Sequence, residues 1–239
     1  MRRRRLGFWR WIAVILIKPI MLLFTRRTWR GLEHVPTTGP AILVSNHISH
    51  ADPLVVAHFV YEAGRWPRFL AKSGLFRNPV LGYLLREVEQ IPVYRGTADA
   101  AKSLEEAIAG LRAGKTVIIY PEGTITRQPD LWPMRGKTGV ARLALATGAP
   151  VIPIAQWGAQ RLYDPIRKKI RIRPRTPVTV VAGPPVDLSA WRDAPPTKAT
   201  LHEMTDTIMR HIQDLLVEIR GETPPELDVP PAAAGQGER

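Results

Sequence analysis

The chain has 239 residues, 45% of them hydrophobic, enough for one sizeable core and too few for two large domains. A formal net charge of +13 points to an anionic partner: nucleic acid, an acidic membrane surface or a phosphorylated substrate. The absence of cysteine excludes disulfides and thiol catalysis, and it fits a reducing cytosol.

Residues 1–28 read as a basic and apolar membrane-anchoring segment. Met1-Arg2-Arg3-Arg4-Arg5 leads into an apolar stretch from Leu6 to Phe24, followed by Arg26, Arg27 and Arg30. Spanning a bilayer takes about 20 uninterrupted apolar residues, and here Arg10, Lys18 and Pro19 break the run. Basic residues flank both ends, and no small-residue cleavage site follows. A kinked helix lying in the interface is expected, with Trp9 and Trp11 at headgroup level and arginines on anionic lipid. This places the chain monotopically, at the cytoplasmic face of the cell membrane.

Trp29 to Val35 then reads as a short strand, with a turn at Pro36 to Pro40. Ala41-Ile42-Leu43-Val44 has strand length and β-branched content, and a helix is expected from Pro53 to about Tyr61, with Asp52 as its N-cap. A strand from Trp66 to Ala71, a helix from Asn78 to Arg86 and a strand over Gln90–Tyr94 follow. Thr97 caps a helix with apolar positions at Ala101, Leu104, Ile108 and Leu111, ended by Gly114. Thr116 to Tyr120 is the clearest buried strand. Lys137 to Thr147 reads as a helix, and Val151–Ile154 and Val178–Val181 as strands. After a Pro-rich link over Gly183–Pro196, the capping box Thr200-x-x-Glu203 opens a helix carrying Leu201, Met204, Ile208, Ile212, Leu215 and Ile219 on one face. The alternation predicts an α/β fold: a single domain, residues 29–221, with a mixed, largely parallel sheet flanked by helices. Residues 222–239 are Pro/Ala/Gly/Glu-rich and are expected to be disordered.

The chemistry gathers at strand ends, where open α/β sheets place ligands. Ser45-Asn46-His47-Ile48-Ser49-His50-Ala51-Asp52-Pro53 sets His47 at a strand end and Asp52 at a helix start. The carboxylate can take one imidazole N–H and leave the other nitrogen as a proton acceptor, the arrangement of an oriented general base. A metal site from His47, His50 and Asp52 is the competing reading, and it lacks the further ligands that zinc sites draw from elsewhere. Arg95, on the turn after Ile91-Pro92-Val93-Tyr94, can fork onto a phosphate or carboxylate, or be a solvated arginine. In Tyr120-Pro121-Glu122-Gly123-Thr124-Ile125-Thr126-Arg127, an acid follows a fully apolar strand; it suits a binding site, or it holds a neighbouring loop by hydrogen bonds. Met134-Arg135-Gly136-Lys137-Thr138-Gly139 opens a helix, where backbone N–H groups and a lysine favour an anion. It is not a P-loop pattern. The basic run from Arg167 to Arg175 suits a cationic face against lipid headgroups, or a solvated edge that discourages strand pairing.

Asn46-His47-x4-Asp52, Ile91-Pro92-Val93-x-Arg95, Tyr120-Pro121-Glu122-Gly123-Thr124 and Val151-Ile152-Pro153-Ile154, in that order, resemble the four blocks of the glycerolipid acyltransferase family. The resemblance is nearest to its 1-acyl-glycerol-3-phosphate branch and covers roughly residues 30 to 185. It implies acyl transfer from an acyl thioester to the free hydroxyl of 1-acyl-glycerol-3-phosphate, making phosphatidic acid. His47 would be the general base and Asp52 its orienting partner. Arg95 would bind the acceptor phosphate, and Asn46, Glu122, Gly123 and Thr124 would line the acceptor site. Pro153 would lie on the donor side. The donor would be acyl-CoA or acyl-carrier protein as a substrate, with no cofactor, no metal and no nucleic acid. One departure stands out. The family usually has an arginine directly after Glu-Gly-Thr, but Ile125 sits there. Arg127 or Lys137 would have to supply that charge, or the acceptor is another lysolipid or a glycosylated phospholipid. A non-catalytic membrane- or nucleic-acid-binding protein also fits the charge, but no nucleic-acid-binding signature accompanies it.

Overall fold

The computed structural model describes residues 7–94, 100–171 and 173–225. Five strands form the main sheet: β1 (Thr25–Arg30), β2 (Ala41–Ser45), β5 (Thr116–Ile119), β6 (Val151–Trp157) and β9 (Thr176–Ala182), in the order β1-β9-β6-β2-β5. β6, β2 and β5 run parallel; β9 is antiparallel to β6, and β1 is parallel to β9. The expected mixed, largely parallel sheet is present. β3 (Leu70–Lys72) and β4 (Ile91–Val93) form a separate parallel pair, and β7 (Tyr163–Asp164) and β8 (Lys169–Ile170) a small antiparallel hairpin.

Alternation along the central strands builds two cores, because successive side chains point to opposite faces. On one face Ile42, Val44, Val117, Ile119 and Val151 meet α4 (Ala100–Arg112), α5 (Gly139–Thr147) and α6 (Lys198–Arg220) through Ala107, Leu111, Val140, Leu143, Leu201, Met204 and Ile208. On the other, Leu43, Ile118, Ile152, Ile154, Val178 and Val180 meet Val55, Val56, Phe59 and Val60 of α2 (Asp52–Glu62). The domain is therefore a sheet between two helical layers. Its topology brings the C-terminal ends of β2, β5 and β6 side by side.

Several boundaries differ from expectation, each for a local reason. The first strand is Thr25–Arg30, inside the stretch assigned to the anchor, because pairing with β9 starts at Thr25↔Thr176; Leu32–His34 is a turn of 3₁₀-helix. The strand expected over Trp66–Ala71 is confined to Leu70–Lys72, preceded by a single bridge at Phe69. Asp52 is not an N-cap. It is the first residue of α2, after Ala51, and its carboxylate turns back into the preceding loop. The last helix is capped by Thr197, whose Oγ1 accepts from the Thr200 amide, so Thr200 sits one turn inside. α5 begins at Gly139, two residues after Lys137. Asn78 caps α3 (Pro79–Glu87) through the amides of Val80 and Leu81. Thr97 and residues 226–239, expected as a cap and a disordered tail, lie outside the described residues.

α1 (Phe8–Phe24) runs helically through Pro19, and no helix among the described residues is long and apolar enough to cross a membrane. Its polarity is inverted relative to a helix packed in water. Arg10 pairs with Glu89 at 2.6 Å and covers Trp66, and Lys18 pairs with Glu62 at 2.7 Å, so both basic residues face the domain rather than lipid headgroups. Met21 is buried beneath the helix, and Trp9 meets Tyr83 edge-on. Phe8, Trp11, Ile15, Leu16, Ile20 and Leu23 point outward.

Candidate active site

β2 ends at Ser45, and the chain turns through residues 46–51 before α2 begins. Asn46 fixes that turn to the neighbouring strand: its Oδ1 accepts from the Gln156 amide at 2.9 Å, and its Nδ2 donates to the Gln156 carbonyl at 3.0 Å. The residue is fully buried. Asn46 was expected in the acceptor site; here its side-chain amide extends the β2–β6 contact through both polar atoms. Asn46→Ala strands the buried Gln156 amide and carbonyl, at a cost of roughly 1–3 kcal/mol per unsatisfied group. The expected result is a lowered thermal midpoint with the acceptor KM little changed.

The turn delivers His47 Nδ1 to Asp52 Oδ2 at 2.8 Å. The same oxygen accepts from the amides of Ile48 at 2.6 Å and Ser49 at 2.9 Å. Asp52 is wholly buried; burial pushes its carboxyl up, opposed by His47 and the two amides. With Nδ1 held by the carboxylate, Nε2 remains as the acceptor. The side chain is 16% exposed, open enough to meet a substrate. The Tyr120 ring stacks on the imidazole, with centroids 4.3 Å apart and planes 18° from parallel, so the ring is held on its face as well as its edge. Burial, and then the Asp52 charge, push the Tyr120 phenol well up, which keeps it neutral beside the pair. His50 turns away to meet Tyr163 edge-on, so it does not join His47 and Asp52 as a third ligand.

Glu122 lies beyond β5, where expected, and its contacts are those of the loop-holding alternative. Its Oε1 accepts from the His47 amide at 2.8 Å and its Oε2 from the Met134 amide at 3.0 Å, and the side chain is buried. Burial pushes its pKa up to about 8, against the pull of the two N–H groups. Glu122 thus braces two loops. Thr126 adds to the brace: its amide donates to the His47 carbonyl at 2.7 Å, and its Oγ1 donates to the Trp132 carbonyl at 2.7 Å. Gly123 has φ +70°, and a Cβ there would press within about 3.1 Å of the Lys137 side chain. Lys137 therefore lies across Gly123 with its ammonium exposed, and its own amide donates to the Pro121 carbonyl. Thr124 and Arg127 are exposed on the same loop, and neither Arg127 nor Lys137 has a carboxylate partner among the described residues. Arg95 lies outside the described residues.

Sequence reasoning missed the outer bracing. The Arg220 guanidinium lies between the rings of Trp132 at 4.2 Å and Trp157 at 4.3 Å and donates to the Asp130 carbonyl at 2.8 Å. Arg135 binds Asp206 through two nitrogens, at 3.2 and 3.0 Å. At Gly136 a Cβ would come within 2.7 Å of Thr205. Together these seat the 126–136 loop on α6. A lone arginine at a helix end gives no sequence signal for this, because its two tryptophans come from distant segments.

The fold and this site define an α/β enzyme whose His–Asp pair sits at the C-terminal edge of parallel strands, beside a cationic loop. The chain belongs to the acyltransferase family, whose model matches residues 26–157, a span holding the His47–Asp52 pair, Glu122 and Lys137. It is 28% identical over 162 residues to a chloroplastic 1-acyl-sn-glycerol-3-phosphate acyltransferase of Brassica napus, covering 67% of this chain and 45% of that one. It is 31% identical over 134 residues to a 1-acyl-sn-glycerol-3-phosphate acyltransferase of Borreliella burgdorferi, covering 56% of this chain and 52% of that one. The chain spans about half the length of these curated relatives. The crystal structure of the 1-acyl-sn-glycerophosphate acyltransferase PlsC from Thermotoga maritima has the same fold, with a TM-score of 0.61 and 25% identity over 90% of this chain and 84% of that one.

Proposed function

We propose that this acyltransferase moves an acyl chain from an acyl thioester to the free hydroxyl of 1-acyl-glycerol-3-phosphate, with His47 as general base. The 2.8 Å contact between His47 Nδ1 and the buried Asp52 carboxylate carries the reading, because it leaves Nε2 free at an accessible edge. Nε2 takes the hydroxyl proton as the oxygen attacks the thioester carbonyl carbon. When the C–S bond breaks, the imidazolium returns that proton to the departing thiolate. Asp52 stabilises the imidazolium between the two steps. Arg127 and Lys137, the unpaired cations beside the pair, would hold the acceptor phosphate, and orienting the hydroxyl in this way lowers the entropic part of the barrier.

The relatives named 1-acyl-sn-glycerol-3-phosphate acyltransferases support this acceptor. A different lysolipid or a glycosylated phospholipid is favoured by one feature, the half-buried Ile125 where an arginine would follow Glu-Gly-Thr. Purified protein given labelled acyl-CoA, or acyl-carrier protein, with lysophosphatidic acid beside a panel of other lysolipids decides between them. Preferred conversion of lysophosphatidic acid is expected; transfer only to another lysolipid would keep the chemistry and move the acceptor. Lys137→Ala should raise the KM for a phosphomonoester acceptor by about ten- to a hundredfold, the worth of a charge-assisted hydrogen bond. An unchanged KM would remove Lys137 from the acceptor site.

The reading includes a membrane surface. The outward side chains of α1, with their charges turned inward, suit a helix lying in the interfacial plane, from which a lysolipid can enter the site without the chain crossing the bilayer.

A further inference from the structure

The hairpin from Tyr163 to Arg171 meets the His47 loop only at its base, through Tyr163. Asp164 fixes its turn: Oδ1 accepts from the amides of Ile166 and Arg167 at 3.0 and 2.9 Å, and Oδ2 pairs with Arg171 at 2.6 Å. This leaves Ile166 80% exposed and Ile170 73% exposed, more than any apolar side chain of α1. A solvated edge needs only charge to discourage strand pairing, and two isoleucines held in water work against that purpose. Residues 161–175 contain seven basic side chains and one acidic one, so the isoleucines stand in a strongly cationic field. Apolar side chains ringed by lysine and arginine are the signature of contact with an anionic bilayer.

Two connections give this contact a consequence. The Arg175 amide donates to the Leu23 carbonyl at 3.2 Å, so the segment leaving the hairpin meets the C-terminal end of α1, where Leu22 and Leu23 are exposed. At the other end, Ser49 Oγ donates to the Tyr163 carbonyl at 2.7 Å, and His50 lies edge-on to the Tyr163 ring. The hairpin therefore joins the outward face of α1 to the loop that carries His47.

We propose that the Tyr163–Arg171 hairpin is a second membrane contact, seating Ile166 and Ile170 among anionic phospholipids whose phosphates meet Arg167, Lys168 and Lys169, and holding the His47 loop at the leaflet surface. The proposal rests on the reading that the enzyme works at a membrane surface. The chain contains no cysteine, so Ile166→Cys and, separately, Trp11→Cys each accept a single environment-sensitive fluorophore at an exposed position. On vesicles of phosphatidylglycerol and phosphatidylcholine, both labels should shift to the blue, and added salt should weaken the response at 166. Replacing Arg167, Lys168 and Lys169 together with glutamine should lower vesicle affinity by roughly tenfold or more. A label at 166 that stays in water while the label at 11 responds overturns the hairpin proposal and leaves α1 in place. Response at 166 alone sustains the hairpin contact and overturns the reading of α1. Response at 166 to an acidic acyl-carrier protein but not to vesicles overturns the membrane as the occupant. Silence at both positions overturns both.

Discussion

Replacing His47 with alanine should lower the rate of acyl transfer by roughly 10²–10⁴-fold, the usual contribution of a positioned general base. Thermal unfolding should stay close to that of the wild type, because the Asp52 carboxylate keeps its bonds from the Ile48 and Ser49 amides when the imidazole is removed. Asp52→Asn separates charge from geometry. All three donors, His47 Nδ1 and the two amides, converge on Oδ2, so an asparagine oxygen in that place retains the contacts and loses only the negative charge. Its kcat should fall less than that of Asp52→Ala, which loses orientation as well. Single-turnover rates with a labelled acyl thioester check both. Wild-type turnover in His47→Ala would remove the residue from the chemistry, and equal losses in the two Asp52 variants would mean that orientation contributes nothing beyond charge.

The site was legible in the sequence where function depends on neighbours in the chain. His47 and Asp52 lie within one turn, so the spacing alone brings imidazole to carboxylate. β2, β5 and β6 are short, β-branched and bounded by glycine, proline or lysine, and their parallel order followed from the helices between them. Less legible was the use of side chains that suit two roles. Asn46 and Glu122 sit beside the chemistry in sequence, yet their polar atoms are taken up by backbone groups of Gln156, His47 and Met134. Sequence cannot separate a side chain that binds substrate from one that holds the backbone next to it. The arginines of the N-terminal segment were expected on anionic lipid, whereas Arg10, like Lys18, pairs with a carboxylate far along the chain, Glu89 and Glu62 respectively. Pairing across such distances is fixed by the fold, as is the seat of Arg220 between Trp132 and Trp157.

Glu122→Gln should lower kcat while leaving the KM for the acceptor near its wild-type value, because both carboxyl oxygens are engaged by the His47 and Met134 amides. A glutamine offers one oxygen in place of two, so its NH₂ must face one of those N–H groups, with the loss of a buried hydrogen bond worth roughly 1–3 kcal/mol. The same carboxyl gives the wild-type protein a pH dependence whose sign follows from burial. Its pKa rises from 4.5 to about 8 on folding, so between those values the folded state holds a proton that the unfolded chain releases. Stability is then fullest below pH 4.5 and declines as pH rises towards 8, by an amount on the order of several kcal/mol at ~1.4 kcal/mol per unit. Glutamine does not titrate. Thermal midpoints measured from pH 5 to pH 9 should therefore fall more steeply for the wild type than for Glu122→Gln, so that the advantage of the wild type at pH 5 is lost or reversed by pH 9. Parallel curves would mean that Glu122 is ionised throughout, with its two backbone donors outweighing burial. A raised acceptor KM with unchanged kcat would return Glu122 to the acceptor site.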